Sequence, residues 1–96
     1  MPPGPPPPPP LAQTPGEMLR RLIPSNVSVA EAARRLGVSR QTLFAIIDGR
    51  SKITPGTALR LEAALPVPAE TWLAVQAQQD LAQARKKPPR GVKRIA

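Results

Sequence analysis

The chain contains no cysteine and no histidine among its 96 residues. Without cysteine there are no disulfide bridges and no thiolate metal sites, and without histidine the usual zinc ligand and the commonest general base are missing. The six acidic residues stand singly along the chain, which favours solvated carboxylates over a catalytic pair, and no glycine-rich phosphate loop occurs. We therefore expect no enzymatic activity, no cofactor, no metal and no small-molecule substrate.

Long apolar runs are missing too. A membrane-spanning helix needs about 18 or more consecutive apolar residues, and the sequence has no such stretch. The N-terminal residues, MPPGPPPPPP, lack the charged and apolar regions of a signal peptide. These observations predict a soluble protein of the cytoplasm without membrane contact.

Proline is abundant, with 15 residues, and is frequent near both ends of the chain. Residues 1–13 are expected to form polyproline II or to be disordered, because proline lacks an amide donor and has a fixed φ. Residues 88–96 mix basic residues with proline and glycine and are also expected to be disordered. A single domain over residues 14–87 remains. The oligoproline segment is a spacer or, as a minor alternative, a ligand of an adaptor module.

The positive charge is unevenly distributed. Seven basic and three acidic residues give residues 16–53 a charge of +4, residues 54–84 carry −2, and residues 85–96 carry +6. Two basic regions separated by a mildly acidic one suit a protein that binds nucleic acid. The basic tail either adds phosphate contacts and steepens the salt dependence of binding, or is a solvated tail without a partner.

Start and stop signals predict five helices. Thr14, Pro15 and Glu17 have the order of an N-cap, a first helical residue and a capping-box partner. Ser28 with Glu31 repeats the capping box, and further caps and prolines bound the other helices. The expected helices cover residues 15–23, 29–36, 40–48, 55–65 and 69–84.

Residues 28–49 have the pattern of a helix-turn-helix. Gly37 can adopt the positive φ of a turn only a few residues long, and Val38 would pack beneath it. Ala32 and Ala33 allow the two helices to cross closely. The apolar residues expected to face inward from the second of these helices are Leu43, Ile46 and Ile47.

The second helix of this unit would present a polar face to a partner. Arg40 can pair with guanine, Gln41 with adenine, and Ala45 can touch a thymine methyl in the major groove. Phe44 lies on the same face and either contacts DNA or folds back on the preceding helix. Contacts to phosphates, which position rather than specify, are expected from Ser39, Thr42, Arg50, Ser51 and Lys52. The alternative is an ordinary solvated helix surface.

The last two helices carry most of the remaining apolar residues. The candidate core residues of the fourth helix are Ala58, Leu59, Leu61, Ala64 and Leu65. The fifth helix has apolar residues on more than one face, which favours contact with a second subunit. Its single tryptophan is expected to anchor the core as well. The expected dimer interface comprises Trp72, Leu73, Val75 and Leu81.

Together these segments resemble the HigA-type antitoxins, a branch of the Cro/phage-repressor-like (XRE) helix-turn-helix regulators. The resemblance covers residues 14 to about 87 and includes PGEMLRRLI, GRSKITPGTALRLEAAL and ETWLAVQAQQDLAQAR. It implies an all-α, five-helix domain and a homodimer joined largely through its C-terminal region. It also implies two partners: double-stranded operator DNA, and a HigB/RelE-like toxin that cleaves messenger RNA.

The resemblance places Arg40, Gln41 and Ala45 on base-reading positions, and it places Thr42 and residues 50–52 on phosphate-facing positions. Two residues depart from the family pattern. Val29 stands where such regulators often have a phosphate-binding glutamine, and Phe44 stands where a small or polar residue is commoner.

The sequence thus favours an antitoxin that neutralises its toxin and, as a dimer, represses its own operon. Two alternatives remain. One is a Cro-like repressor without a toxin partner, and the other is a protein-binding module that has lost DNA binding.

Overall fold

The computed structural model describes residues 14–96. These residues contain no strand and form five helices: α1 (Pro15–Leu22), α2 (Val29–Leu36), α3 (Arg40–Ile47), α4 (Pro55–Ala64) and α5 (Ala69–Arg85). The predicted all-α, five-helix fold is confirmed. The prediction of disorder for residues 1–13 lies outside the described residues. Residues 88–96 form no helix and are exposed throughout.

The first four helices each begin at a Ser or Thr hydroxyl that accepts a hydrogen bond from the amide three residues later. Thr14 forms the full predicted box, because Glu17 N donates to Thr14 Oγ1 (3.1 Å) and Thr14 N donates to Glu17 Oε2 (3.4 Å). Ser28 accepts from Glu31 N at 3.1 Å, but the Glu31 carboxylate binds two arginines of its own helix. The prediction of a second capping box is therefore wrong in one part, because the Glu31 side chain accepts from the two arginines and not from the Ser28 amide. Guanidinium groups are stronger donors than a backbone amide.

Three helices are one residue shorter than expected, and their C-caps are Ile23, Asp48 and Leu65. Ile23 and Leu65 have extended ψ angles of 120° and 152°. Each of these two residues precedes a proline, whose ring disfavours the helical conformation of the residue before it. Helix α5 extends one residue further than expected, to Arg85.

The core lies where the five helices meet. Helix α5 packs on α1 and α4, α3 packs on α1 and α2, and α2 packs on α4. The largest fully buried side chains come from four different helices and are Leu19, Leu43, Leu61 and Trp72. The prediction that Trp72 anchors the core is confirmed. Its prediction as a dimer-interface residue is wrong, because its side chain has no exposed surface for a second subunit to contact.

The prediction of core positions in α4 is also wrong for two residues. Leu59 is 59% exposed and Ala64 is exposed too, whereas Ala58 and Leu61 are buried. Successive residues lie about 100° apart around a helix, so the face that buries Ala58 turns Leu59 outward. The fourth helix therefore contributes a narrower apolar stripe than its composition indicates.

The turn between α2 and α3 has the predicted geometry. Gly37 is the C-cap of α2, with a φ of 75° in the left-handed region that favours glycine. Arg60 of α4 reaches this turn and donates from Nη1 to the Leu36 carbonyl oxygen at 3.1 Å. The sequence pattern did not indicate this contact, which ties α4 to the end of α2.

Helix α1 approaches the end of α3 so closely that only glycine fits at one position. A Cβ atom on Gly16 would lie 2.3 Å from the Ile47 carbonyl oxygen and 2.6 Å from the Ile46 carbonyl oxygen. Gly56 occupies the equivalent position of a second Thr-Pro-Gly sequence, and a Cβ atom there would meet only Thr54 Oγ1 at 4.0 Å. The same local sequence therefore serves a close helix contact in α1 and an open helix start in α4.

Within residues 14–96, no helix is long and apolar enough to cross a membrane. The same residues contain no group of three or more acidic side chains placed to hold a metal ion.

The two glycines provide a matched test of the α1–α3 contact. We expect Gly16→Ala to lower the free energy of unfolding by about 1–3 kcal/mol, because the new methyl group would overlap backbone atoms that cannot move independently. Gly56→Ala should be neutral or stabilise by up to about 1 kcal/mol, because alanine is the better helix former. Urea unfolding followed by circular dichroism measures both. Equal effects at the two positions would contradict the contact.

Candidate nucleic-acid interface

Helix α3 begins with two hydroxyl groups that are tied to each other. Ser39 Oγ accepts a hydrogen bond from Thr42 N (3.0 Å) and donates one to Thr42 Oγ1 (2.7 Å). Both residues are exposed. Backbone amides at the start of a helix lack intrahelical partners and favour anions. The start of α3 therefore provides a hydrogen-bonding surface for a phosphate group.

The outward face of α3 carries the residues expected to read bases. Arg40 and Gln41 are exposed, and within residues 14–96 neither side chain makes a hydrogen bond or an ion pair. Ala45, one turn further along, is half-buried. On the opposite face Leu43 and Ile46 are buried, as predicted. The geometry thus leaves a long cationic donor and an amide available on one side of the helix.

Phe44 also faces outward. Its side chain is 39% exposed, and the residue does not belong to the core or to the partly buried residues that pack against it. More than a third of the residue's surface is open, so part of the ring is available to a partner. An exposed aromatic ring beside Arg40 and Gln41 adds an apolar patch to an otherwise polar surface.

The loop after α3 folds back onto the end of the helix. Gly49 has a φ of 81°, and the Ala45 carbonyl oxygen accepts hydrogen bonds from Arg50 N (2.9 Å) and Ser51 N (3.1 Å). These contacts place residues 50–52 directly beside the C-terminus of α3. All three residues are exposed.

Both cationic side chains of this loop have an acidic neighbour. Arg50 Nη2 lies 3.2 Å from Asp48 Oδ2, and Lys52 Nζ lies 3.4 Å from Asp80 Oδ1 of α5. The paired side chains are largely exposed, so these ion pairs are weak and can exchange with a competing anion. The ion pairs therefore orient the Arg50 and Lys52 side chains, and a phosphate group could replace the carboxylates as their partner.

The sequence pattern did not single out Gln76, which holds the far end of this loop. Its Oε1 accepts a hydrogen bond from Ile53 N at 2.9 Å, although the two residues are 23 positions apart. Gln76 is only 7% exposed and lies one helical turn after Trp72. The spacing of four residues from a core tryptophan is the signal that would have placed this glutamine inside.

Val29 does not replace the phosphate contact that a glutamine would make there. It is the first residue of α2, is half-buried and packs against the core. An apolar side chain offers no hydrogen bond to a phosphate, so this position contributes packing.

Helix α2 carries a compact charge cluster. The Glu31 carboxylate accepts hydrogen bonds from Arg34 Nε and Arg35 Nε, each at 2.8 Å. Arg34 donates a second bond from Nη2. The hydrogen bonds of the two arginines, those of Arg34 foremost, lower the pKa of Glu31 from 4.5 to about 2. Its bonds to Glu31 also raise the pKa of Arg34. Glu31 therefore stays ionised and neutralises part of the positive charge of α2.

Of the residues expected at a dimer interface, Leu81 is the best exposed, at 49%. Leu73 and Val75 are half-buried, and Leu73 packs against the core of its own chain. Three exposed alanines lie on the same side of α5 as Leu81. The resulting exposed apolar stripe comprises Ala74, Ala77, Leu81 and Ala84.

A family model described as helix-turn-helix matches residues 18–72. This range runs from α1 to the buried tryptophan of α5 and includes α2, the turn and α3 completely. The chain therefore belongs to the helix-turn-helix family, of the Cro/phage-repressor-like (XRE) type. This family consists of DNA-binding regulators and antitoxins, not enzymes.

Its structural neighbours include HigA-family antitoxins. Antitoxin HigA of Pseudomonas aeruginosa, solved with the higBA promoter, has a TM-score of 0.76 and 29% identity over 88% of this chain and 98% of the neighbour. Antitoxin GraA has a TM-score of 0.78 and 32% identity over 86% of this chain and 96% of its own. GraA has also been solved in complex with its operator.

A curated relative was found as well. The chain is 29% identical over 73 residues to the uncharacterized HTH-type transcriptional regulator YddM of Escherichia coli strain K12. The match covers 75% of this chain and 78% of the relative.

The charge cluster of α2 makes stability depend on pH. Because the pKa of Glu31 in the folded chain, about 2, lies below its ordinary value of 4.5, the ionised group stabilises the fold fully above pH 4.5. This contribution is lost as the pH falls towards 2. The difference in urea midpoint between the wild type and Glu31→Gln should therefore shrink in acid.

A carbon-detected NMR titration gives the pKa of Glu31 directly. Arg34→Ala should raise this pKa towards its ordinary value, because both hydrogen bonds from Arg34, the largest cause of the shift, are lost. Arg20→Ala removes an arginine that makes no ion pair with Glu31 and serves as the control. If both variants shifted the pKa equally, general charge rather than the hydrogen bonds would be responsible.

Proposed function

We propose that the protein is an antitoxin of the HigA type that, as a homodimer, binds operator DNA in the cytoplasm and represses its own operon. The observation that carries the DNA-binding part is the outward face of α3, where Arg40 and Gln41 are exposed beside a loop with two cations. The operator and promoter complexes of the structural neighbours support the same assignment.

Bases would be read by the first half of α3. Arg40 would pair bidentately with guanine and Gln41 with adenine, and Ala45 would contact a thymine methyl group. Phe44 lies on this face with 39% of its side chain exposed, which is enough to contact a thymine methyl or a sugar. The ring would add apolar contact without a hydrogen bond.

Phosphates would be held on both sides of these base readers. At the start of α3 the donors are the hydroxyl groups of Ser39 and Thr42 with the free amides of the first turn. At the end of α3 they are Arg50, Ser51 and Lys52. The exposed residues 88–96 would add further phosphate contacts, because residues 85–96 carry a charge of +6.

The two kinds of contact can be separated by substitution. Arg40→Ala or Gln41→Ala should cost about 1–3 kcal/mol of binding to the gene's own promoter and relax one base position. Lys52→Ala should weaken all DNA sequences alike and lower the slope of log affinity against log salt by about 1. Fluorescence anisotropy with promoter and unrelated duplexes measures both effects. No binding of the wild type at micromolar protein and low salt would refute the DNA-binding role.

A homodimer would be joined through the exposed apolar stripe of α5. Ala74, Ala77, Leu81 and Ala84 recur at spacings of three and four residues, which places them along one side of the helix. Small residues allow close helix approach, and Leu81, 49% exposed, supplies the largest side chain. Two copies would place two α3 helices against successive major grooves of a palindromic operator, about one helical turn apart or a multiple of that.

A charge placed in the stripe should separate the subunits. We expect Leu81→Glu to be monomeric by light scattering, because two buried carboxylates would face each other across the two-fold axis. Gln83→Glu adds the same charge on the opposite side of α5 and should stay dimeric. Leu73→Glu is a poorer test, because Leu73 also packs against the core. A monomeric wild type would remove the two-half-site arrangement.

A second candidate is a Cro-like repressor without a toxin partner, which the match to the transcriptional regulator YddM favours. Co-expression with the neighbouring open reading frame, scored for growth rescue and co-purification, distinguishes the candidates. Rescue together with promoter binding supports the antitoxin. Promoter binding without rescue supports the plain repressor, and rescue without promoter binding supports a protein-binding module that has lost DNA binding.

A further inference from the structure

Gln76 is the one buried polar side chain among residues 14–96. Such a group is costly to bury unless it is hydrogen-bonded, and the amide of Gln76 is bonded at both of its atoms. Its partners belong to the loop after α3 and to α5 itself. The side chain therefore connects the helix proposed to join the subunits with the loop proposed to hold phosphates.

The acceptor atom fixes the backbone of the loop. Gln76 Oε1 accepts from Ile53 N at 2.9 Å, and Ile53 is itself buried, at 3% exposure. At the other end of the loop the Ala45 carbonyl oxygen holds two successive amides. The loop with the exposed residues 50–52 is thus held by hydrogen bonds at both ends, to α3 at one end and to α5 at the other.

The amide nitrogen of Gln76 orients the charged side chain of Asp80. Gln76 Nε2 donates to Asp80 Oδ1 at 3.1 Å, and the same carboxylate oxygen lies 3.4 Å from Lys52 Nζ. Asp80 is thereby held in the orientation in which it faces Lys52. One amide group therefore sets both the path of the loop backbone and the direction of one of its cations.

We propose that Gln76 is a positioning residue for DNA binding, which acts by holding the phosphate-contacting loop in its binding conformation before DNA arrives. The proposal rests on the proposed DNA-binding function and adds a residue that does not itself touch DNA. A loop that is already ordered loses less conformational entropy on binding, so its phosphate contacts contribute more to affinity. Helix α5 thereby serves both the subunit contact and the loop.

The main test is Gln76→Met, which fills a similar volume with an unbranched side chain and lacks the amide group. Its amide hydrogen exchange at Ile53 should be faster than in the wild type. Its affinity should fall roughly three- to tenfold for promoter and unrelated duplexes alike, with a salt slope smaller by about 1, because a loop contact is lost rather than a base contact. Gln83→Met, at an exposed position of the same helix, is the control and should match the wild type.

A double-mutant cycle separates loop positioning from general destabilisation. In a Lys52→Ala background the Gln76→Met change should cost less affinity than in the wild type, because the two changes remove the same contact. Additive losses in a fully folded protein would overturn the proposal, and so would unchanged exchange at Ile53. A loss confined to the promoter duplex would also overturn it, since that would place the effect on base reading.

If Gln76→Met does not fold, Gln76→Glu in an Asp80→Asn background replaces it as the test, because the new carboxylate keeps an acceptor for the Ile53 amide and does not face a second carboxylate. We then expect slow exchange at Ile53 together with a changed resonance of Lys52 Nζ, and fast exchange at Ile53 would refute the anchoring. Amide exchange and binding to an unrelated duplex are measured without the promoter. Failure of this proposal can therefore be distinguished from failure of operator recognition.

Discussion

Three of the five helices have only eight residues, and helices of that length are marginal in isolation. Their stability depends on one shared core, in which Trp72 of α5 is fully buried together with Leu19, Leu43 and Leu61 of three other helices. The outward surface of α3 depends on this core, because α3 is held by packing and not by its own helix propensity. The outward residues of α3 are therefore not needed to hold the helix in place.

The positive charge of the helix-turn-helix is moderated by its own acids. Glu31 binds two arginines of α2, Asp48 lies beside Arg50, and Asp80 lies beside Lys52. Exposed ion pairs contribute little to stability, so their main effect is to restrict side-chain directions. Arg40 has no such neighbour among residues 14–96. Among the exposed cations of α3 and its loop, Arg40 is thus the one without an acidic neighbour, whereas the directions of Arg50 and Lys52 are restricted.

Local signals in the sequence predicted the five helices, the turn at Gly37 and the inward residues Leu43 and Ile46, because caps, prolines and apolar spacing act over a few residues. Contacts between distant segments were not predictable in the same way. Arg60 binding the Leu36 carbonyl, and Gln76 binding the Ile53 amide, join residues 24 and 23 positions apart. The exposure of Leu59 was misjudged for the same reason, since composition does not tell which side of α4 meets its neighbours.

Because the Ile53 amide bonds to a residue that follows it by 23 positions, the loop after α3 is anchored only late in synthesis. Helix α3 leaves the ribosome first, then the loop, and Gln76, the anchor of that loop, is translated 23 residues after Ile53. A nascent chain that ends before α5 lacks both Trp72, on which the shared core depends, and Gln76, which fixes the end of the loop. Completion of the chain and assembly of the surface formed by α3 and its loop are therefore coupled. Unfinished polypeptides that lack α5 therefore present neither a packed α3 nor an anchored loop.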